Sequence, residues 1–131
     1  MPRNRHNELV KILVKLGNIL GFRTYSADKL ERNYFNDLPK TLDRESLTFV
    51  ENVDVIWFNR HNYPVYAFEV ELTSGVSSGF SRLYQLRHFT CNFFIVIDNE
   101  SENYAKYKNK FDKLTTSDPY LEVEDRFFLI E

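Results

Sequence analysis

Residues 65–73 read VYAFEVELT, the pattern of a strand with two unlike faces. Phe68, Val70 and Leu72 alternate with Glu69, Glu71 and Thr73. Side chains on a strand repeat every two residues, so the apolar three share one face and the two glutamates share the other, about 7 Å apart along the chain. Carboxylates inside so apolar a stretch are costly to bury without partners. Two readings follow: the glutamates lie on the wet face of a hairpin, or they gather around a divalent cation. Just upstream, residues 52–59 read NVDVIWFN and carry a third carboxylate, Asp54. Residues 60–64, RHNYP, have roughly the length of a hairpin turn. Folded back on each other, the two strands bring Asp54 beside Glu69 and Glu71.

The surroundings of this hairpin form one domain over residues 1–131, long enough for a core without staples. Hydrophobic residues make up 43% of the chain, with 12 Phe and 8 Tyr, which argues against disorder. No apolar run approaches the ~18 residues of a membrane span, and no secretory h-region follows the opening MPRNRH. The expected location is the cytoplasm, with no membrane partner. A single cysteine, Cys91, excludes an internal disulfide framework and a thiolate zinc site, and reads as a core filler. A net charge of −2 argues against binding nucleic acid through overall basicity. It leaves room for a local basic surface beside carboxylates held for a metal. No internal repeat or low-complexity segment is present.

Upstream, residues 4–20 predict an amphipathic helix with Leu9, Ile12, Leu13, Leu16, Ile19 and Leu20 as its apolar stripe and Gly21 as its stop. Gly17 is a cost in its interior. Glu8 sits at the N-terminal edge of that stripe, either as a first-turn acid favoured by the helix dipole or as a carboxylate aimed inward. Residues 22–25 predict a short strand. Residues 26–50 are polar and irregular, with a short helix expected near 28–35; a connection of this length is a substrate-facing flap or a loose loop. Downstream, residues 74–79 read as a turn in which Ser77 and Ser78 cap a helix over 80–89. Arg82, Gln85 and Arg87 are the long polar residues of that helix. Residues 92–98, NFFIVID, suit a central strand buried on both faces. Residues 103–114 predict a lysine-rich helix, its Lys106, Lys108, Lys110 and Lys113 forming a solvated face or a phosphate-contacting stripe. Residues 127–130 predict a last strand. His6 and His88 read as surface residues, and Trp57, Tyr63 and Tyr66 as packing.

This order of helix, three strands, helix and strand, with Asp54 and the pair Glu69 and Glu71 on adjacent strands, resembles the PD-(D/E)XK nuclease superfamily. The resemblance covers about residues 5–98. It implies an α/β fold of restriction-endonuclease-like type, a mixed central β-sheet flanked by helices with an αβββαβ core. In that superfamily an Asp on one strand and the acid that opens (D/E)-x-K on the next bind metal; Asp54 and Glu69 match those places. Glu71 stands where Lys is usual, a Glu-x-Glu variant that some restriction endonucleases tolerate. The stretch FEVELTSGVSSGFSRLYQL, residues 68–86, also looks like a family pattern running from the Glu strand through a Ser/Thr/Gly turn into a helix with Arg-x-x-Gln. On this resemblance Arg82 and Gln85 face the site, Arg87 joins them against nucleic acid, and Glu8 takes the place of a further acid on the first helix.

The resemblance therefore implies a magnesium-dependent deoxyribonuclease, with Mn²⁺ as a substitute. Asp54, Glu69, Glu71 and Glu8 would be metal-binding, and Arg82 and Gln85 would position the phosphate or the water. DNA is the expected partner. A homodimer would allow both strands of a duplex to be cut, and membership of a larger restriction or defence complex would supply specificity. Two other readings stay open: a nuclease-fold module that no longer cuts, with Glu71 as the mark of lost catalysis, and an interaction domain whose acids are plain surface residues.

Overall fold

The computed structural model describes residues 2–27, 43–71, 76–98 and 102–130. The elements run α1 (Pro2–Ile19), β1 (Arg23–Ser26), α2 (Arg44–Val50), β2 (Val55–Phe58), β3 (Pro64–Val70), α3 (Val76–Tyr84), β4 (Asn92–Val96), α4 (Tyr104–Thr115), a 3-10 segment (Tyr120–Arg126) and β5 (Phe127–Ile130). The strands form one mixed sheet in the order β1-β2-β3-β4-β5. β1, β2 and β3 are antiparallel, whereas β3, β4 and β5 run parallel. The chain is thus α/β, a five-stranded mixed sheet with helices on its two faces. Among the described residues no helix is long and apolar enough to cross a membrane.

The predicted hairpin is present. β2 and β3 pair with Val55 opposite Phe68 and Trp57 opposite Tyr66. Asn59 makes the turn, its side-chain oxygen accepting from the backbone N–H of His61 at 2.9 Å and of Tyr63 at 3.1 Å. Tyr63 is exposed at the turn and packs into no core, contrary to the expectation for it. Trp57 and Tyr66 do pack, in an aromatic layer with Phe22, Phe68 and Phe94. β4 is central and parallel to both neighbours, as its continuous apolar run suggests.

Strand alternation divides the core in two. Val55, Trp57, Phe68, Val70 and Val96 pack under Val10 and Val14 of α1. Ile56, Phe58, Ala67, Phe93 and Ile95 point to the opposite face, against Val50 of α2, Phe80 and Leu83 of α3 and Tyr107 of α4. Cys91 is buried in this second core, where burial pushes its thiol up to about 12.

Helix α1 buries only part of the stripe that its sequence suggests: Leu9 and Leu13 pack against the core. Ile12, Leu16, Ile19 and Leu20 are exposed, Ile19 to 71%, whereas Val10 is 1% exposed. The reason is Gly17. A Cβ there would lie 2.5 Å from Trp57 Nε1 and 2.7 Å from Thr24 Cγ2. Without one, the helix settles onto the indole, whose Nε1–H donates to the Leu13 carbonyl at 3.0 Å. That contact turns the face of Val10, Val14 and Gly17 to the sheet and Ile12, Leu16, Ile19 and Leu20 to solvent.

Three other expectations change. α2 was not foreseen; Asp43 caps it, its carboxylate accepting from the Ser46 N–H at 2.7 Å. The short helix expected near residues 28–35 lies outside the described residues. α3 begins at Val76, so Ser77 and Ser78 lie within the helix instead of capping one that starts at Phe80. It also ends at Tyr84, five residues early. Beyond it the chain turns tightly, and the Arg126 guanidinium donates to the carbonyls of Cys91, Arg87 and Phe89 at 2.9, 2.6 and 2.5 Å. One side chain thus satisfies three backbone acceptors that the helix no longer serves.

Two denaturation measurements check this packing. Gly17→Ala should lose ~1–3 kcal/mol, the cost of forcing volume into a filled contact, while Ile19→Ala stays within about 0.5 kcal/mol of the parent. Arg126→Met should lose at least ~2 kcal/mol, because it leaves buried carbonyls unpaired.

Candidate functional site

The hairpin register decides where the acids meet. The β2–β3 pairing ends with Val55 opposite Phe68, so Asp54, just before β2, lies at the same end of the hairpin as Glu69, and its charge acts on the Glu69 carboxyl. Two residues on, past the end of β3, Glu71 continues the pairing with β4, its N–H donating to the Val96 carbonyl at 2.9 Å. Alternation then puts Glu69 and Glu71 on one face. Both are buried, Glu69 at 0% and Glu71 at 1% exposure. The reading in which they are exposed surface acids is therefore wrong.

Each acid is held by its own partners. One Asp54 oxygen, Oδ2, accepts from the Val70 N–H at 2.8 Å. The same oxygen lies 3.4 Å from Nε2 of His6, on α1. Glu69 is gripped by Arg82 of α3: Nε donates to Oε2 at 2.7 Å and Nη2 to Oε1 at 2.9 Å. Such a two-bond fork is the strongest form of the arginine–carboxylate pair. Nη2 is also 3.8 Å from Oε1 of Glu71, so one nitrogen lies between the two glutamates. Helix α3 reaches this depth because of Gly79, one turn before Arg82. A Cβ at Gly79 would lie 2.7 Å from Glu71 Oε1 and 3.2 Å from Glu69 Cβ.

The electrostatics follow from this burial. Desolvation pushes the Glu69 carboxyl well above the usual carboxylate range; the Arg82 hydrogen bonds oppose that push, and the charges of Asp54 and Glu71 add to it. Glu69 in turn holds the Arg82 guanidinium more firmly protonated. The hydrogen bond to Asp54 raises the His6 imidazole, against the effect of burial.

The cluster thus unites Asp54, Glu69, Glu71 and Arg82, but not every residue the sequence suggested. Glu8 points away: its side chain is 64% exposed and pairs with Arg5 at 3.5 Å. The rotation of α1 onto its Val10 face takes it off the site. Gln85 is not one helical turn beyond Arg82, because α3 stops at Tyr84. Its amide bridges α3 to α2 instead, accepting from Ser46 Oγ at 2.9 Å and donating to the Ser81 carbonyl at 3.2 Å. Arg87 lies over the Tyr84 ring, 4.2 Å from its centre, and donates to the Tyr84 carbonyl. His6 is the residue that sequence reasoning missed. Its signal was the spacing His6, Val10, Val14, Gly17, which marks the buried face of α1, two positions from the glutamate that had drawn attention.

Hard carboxylate oxygens suit Mg²⁺ or Mn²⁺. With Arg82 seated, its positive charge stands against both Glu69 oxygens and repels a cation from them. Among the described residues no group of three or more His, Cys, Asp or Glu side chains is placed to hold a metal ion.

A family model described as the C-terminal domain of the type II restriction enzyme NmeDI matches residues 2–128. No curated protein and no solved structure matches the chain.

The buried pair makes two predictions. Arg82→Ala should destabilise the fold by about 3–5 kcal/mol in chemical denaturation, because it leaves Glu69 buried without its counter-ion. The second concerns pH. A group whose pKa is raised on folding stabilises the fold below its unfolded value and loses that contribution as pH rises through the native value. For Glu69 the loss begins above about pH 4.3, and for His6 above about pH 6.5. Glu69→Gln should flatten the fall in stability that begins on the acid side, and His6→Gln the fall above neutrality, in denaturation curves taken across pH.

Proposed function

The chain belongs to the family of type II restriction enzyme NmeDI C-terminal domains, and from that membership and its carboxylate cluster we propose that it is an endonuclease hydrolysing DNA phosphodiester bonds. The observation that carries this reading is the burial of Glu69 and Glu71 beside Asp54, with Arg82 forked onto Glu69 and His6 against Asp54. Replacing such an ionic cluster with apolar residues is often neutral or stabilising. A chain that keeps one at the end of a sheet keeps it for chemistry. In this reading Asp54, Glu69 and Glu71 are the acidic centre, and Arg82, partly exposed at its mouth, is the group that meets the phosphate. The core is of the restriction-endonuclease-like type within the PD-(D/E)XK superfamily, in its Glu-x-Glu variant. The cofactor in this proposal would be Mg²⁺, with Mn²⁺ as a substitute, as the resemblance to that superfamily implies. A homodimer, or a place in a larger restriction complex, belongs to the same proposal.

A second reading has one observation in its favour. The Arg82 fork already neutralises Glu69, as a non-catalytic DNA-binding module of a restriction system would require. Cleavage of supercoiled plasmid and of single-stranded DNA separates the two. The nuclease reading expects cutting with Mg²⁺ or Mn²⁺, none with chelator, and a loss of at least ~100-fold in Glu69→Ala, the scale of removing a group that stabilises the transition state. A folded parent that binds DNA and cuts neither substrate overturns it in favour of the module.

A further inference from the structure

The α1 side of the sheet is covered only in part. Helix α1 lies across β1, β2 and β3. Phe128 of β5 stacks on Phe94 of β4 with ring centres 5.4 Å apart, and Phe94 packs against the core under α1. Strand alternation therefore turns Phe128 and Ile130 to this same side. Both are open there, 43% and 37% exposed. Parallel strands are normally covered on both faces, yet among the described residues the helices over β4 and β5 are α3 and α4, on the opposite side. Between the bare strands and α1 lies a pocket of about 270 Å³, lined by Leu9, Ile12 and Leu13 of α1 and by Ile130, with Arg5 and Asp98 as its charged members. Ile12 and Leu16, one turn apart, form an apolar ridge along α1, 55% and 43% exposed.

We propose that this surface joins two copies of the chain about a two-fold axis, with α1 of each copy lying in the bare trough over β4 and β5 of the other. The molecule carries a trough that lacks a helix and, beside it, a helix ridge that lacks a cover; one two-fold operation fills both. The sizes agree. Two strands spaced ~4.8 Å apart leave a trough about 10 Å wide, the diameter of a helix. Along strands of five and four residues the contact buries roughly 1,000 Å² from the two copies, the lower bound of specific interfaces, so the dimer is weak and concentration-dependent. The charges agree as well: Arg5 and Asp98 are of opposite sign, and a second copy brings a counter-charge to each. Ile19, the last residue of α1, does not line the pocket and stays outside the contact. Glu69 and Glu71 point to the α3 side of the sheet, so the acidic centre remains open. The inference gives a surface to the homodimer included in the nuclease reading, but it rests on packing and not on catalysis.

The test is sedimentation of the full chain over a range of micromolar concentrations, without metal or DNA. The parent should pass from one chain to two as its concentration rises, and no further, because a two-fold contact is closed. Ile12→Glu and Phe128→Glu each set a charge in the apolar contact from an exposed position, so the monomer keeps its fold, as circular dichroism would show. Each should weaken self-association at least ~10-fold. Ile19→Glu, on the same helix but outside the contact, should associate as the parent does. A parent that remains a single chain at every concentration overturns the proposal and leaves the trough to a partner of another kind. A parent that dimerises equally well with Ile12→Glu and Phe128→Glu also overturns it, as does growth beyond two chains. Plasmid cleavage decides the nuclease reading separately, so either conclusion can fall while the other stands.

Discussion

The guanidinium of Arg82 makes it feasible to bury Glu69 and Glu71 side by side. Two carboxylates on one face of a strand, with Asp54 across the ladder, would carry three negative charges into a poorly solvated corner. Arg82 meets this with a fork on one acid and a near approach to the second, while His6 stands against the third. The position of α3 is tied to the same requirement. Its glycine at residue 79 exists where any side chain would strike Glu71, and its short length leaves Gln85 to bind α2.

The opposite face of the sheet obeys a different constraint. There the meeting of Trp57 with the backbone of α1 at Gly17 sets the rotation of the helix. This distant packing contact has a consequence at the acidic centre. It turns His6 toward Asp54 and Glu8 toward solvent. A helix seated on the Leu/Ile stripe would expose different residues to the cluster. Core packing at one end of α1 therefore selects the charge at its other end.

This explains which features were legible in the sequence. The β2–β3 hairpin and the meeting of Asp54 with Glu69 could be read because strand alternation and turn length fix register locally. The central placement of β4 followed from its unbroken apolar run. The burial face of α1 could not be read from hydrophobicity alone, because Ile12, Leu16 and Ile19 bring more apolar surface than Val10, Val14 and Gly17; the deciding contact, between Gly17 and Trp57, spans 40 residues of sequence. The end of α3 depends on Arg126, which reaches back from the start of β5 to hold carbonyls after the helix. Gln85 lies one residue past the end of α3, where its N–H bonds to the Arg82 carbonyl at 3.3 Å and its amide is taken by Ser46 and Ser81.

In the proposed nuclease the Glu69–Arg82 pair is kept for chemistry and not for stability. The most direct test is the Glu69→Gln/Arg82→Met double variant, measured in parallel by chemical denaturation and by plasmid cleavage with Mg²⁺. The double variant should be at least as stable as the parent, since an uncharged pair avoids the desolvation of buried ions, and should not cut. A double variant that cuts at the parental rate, or one that keeps its fold only at a loss of several kcal/mol, would contradict it.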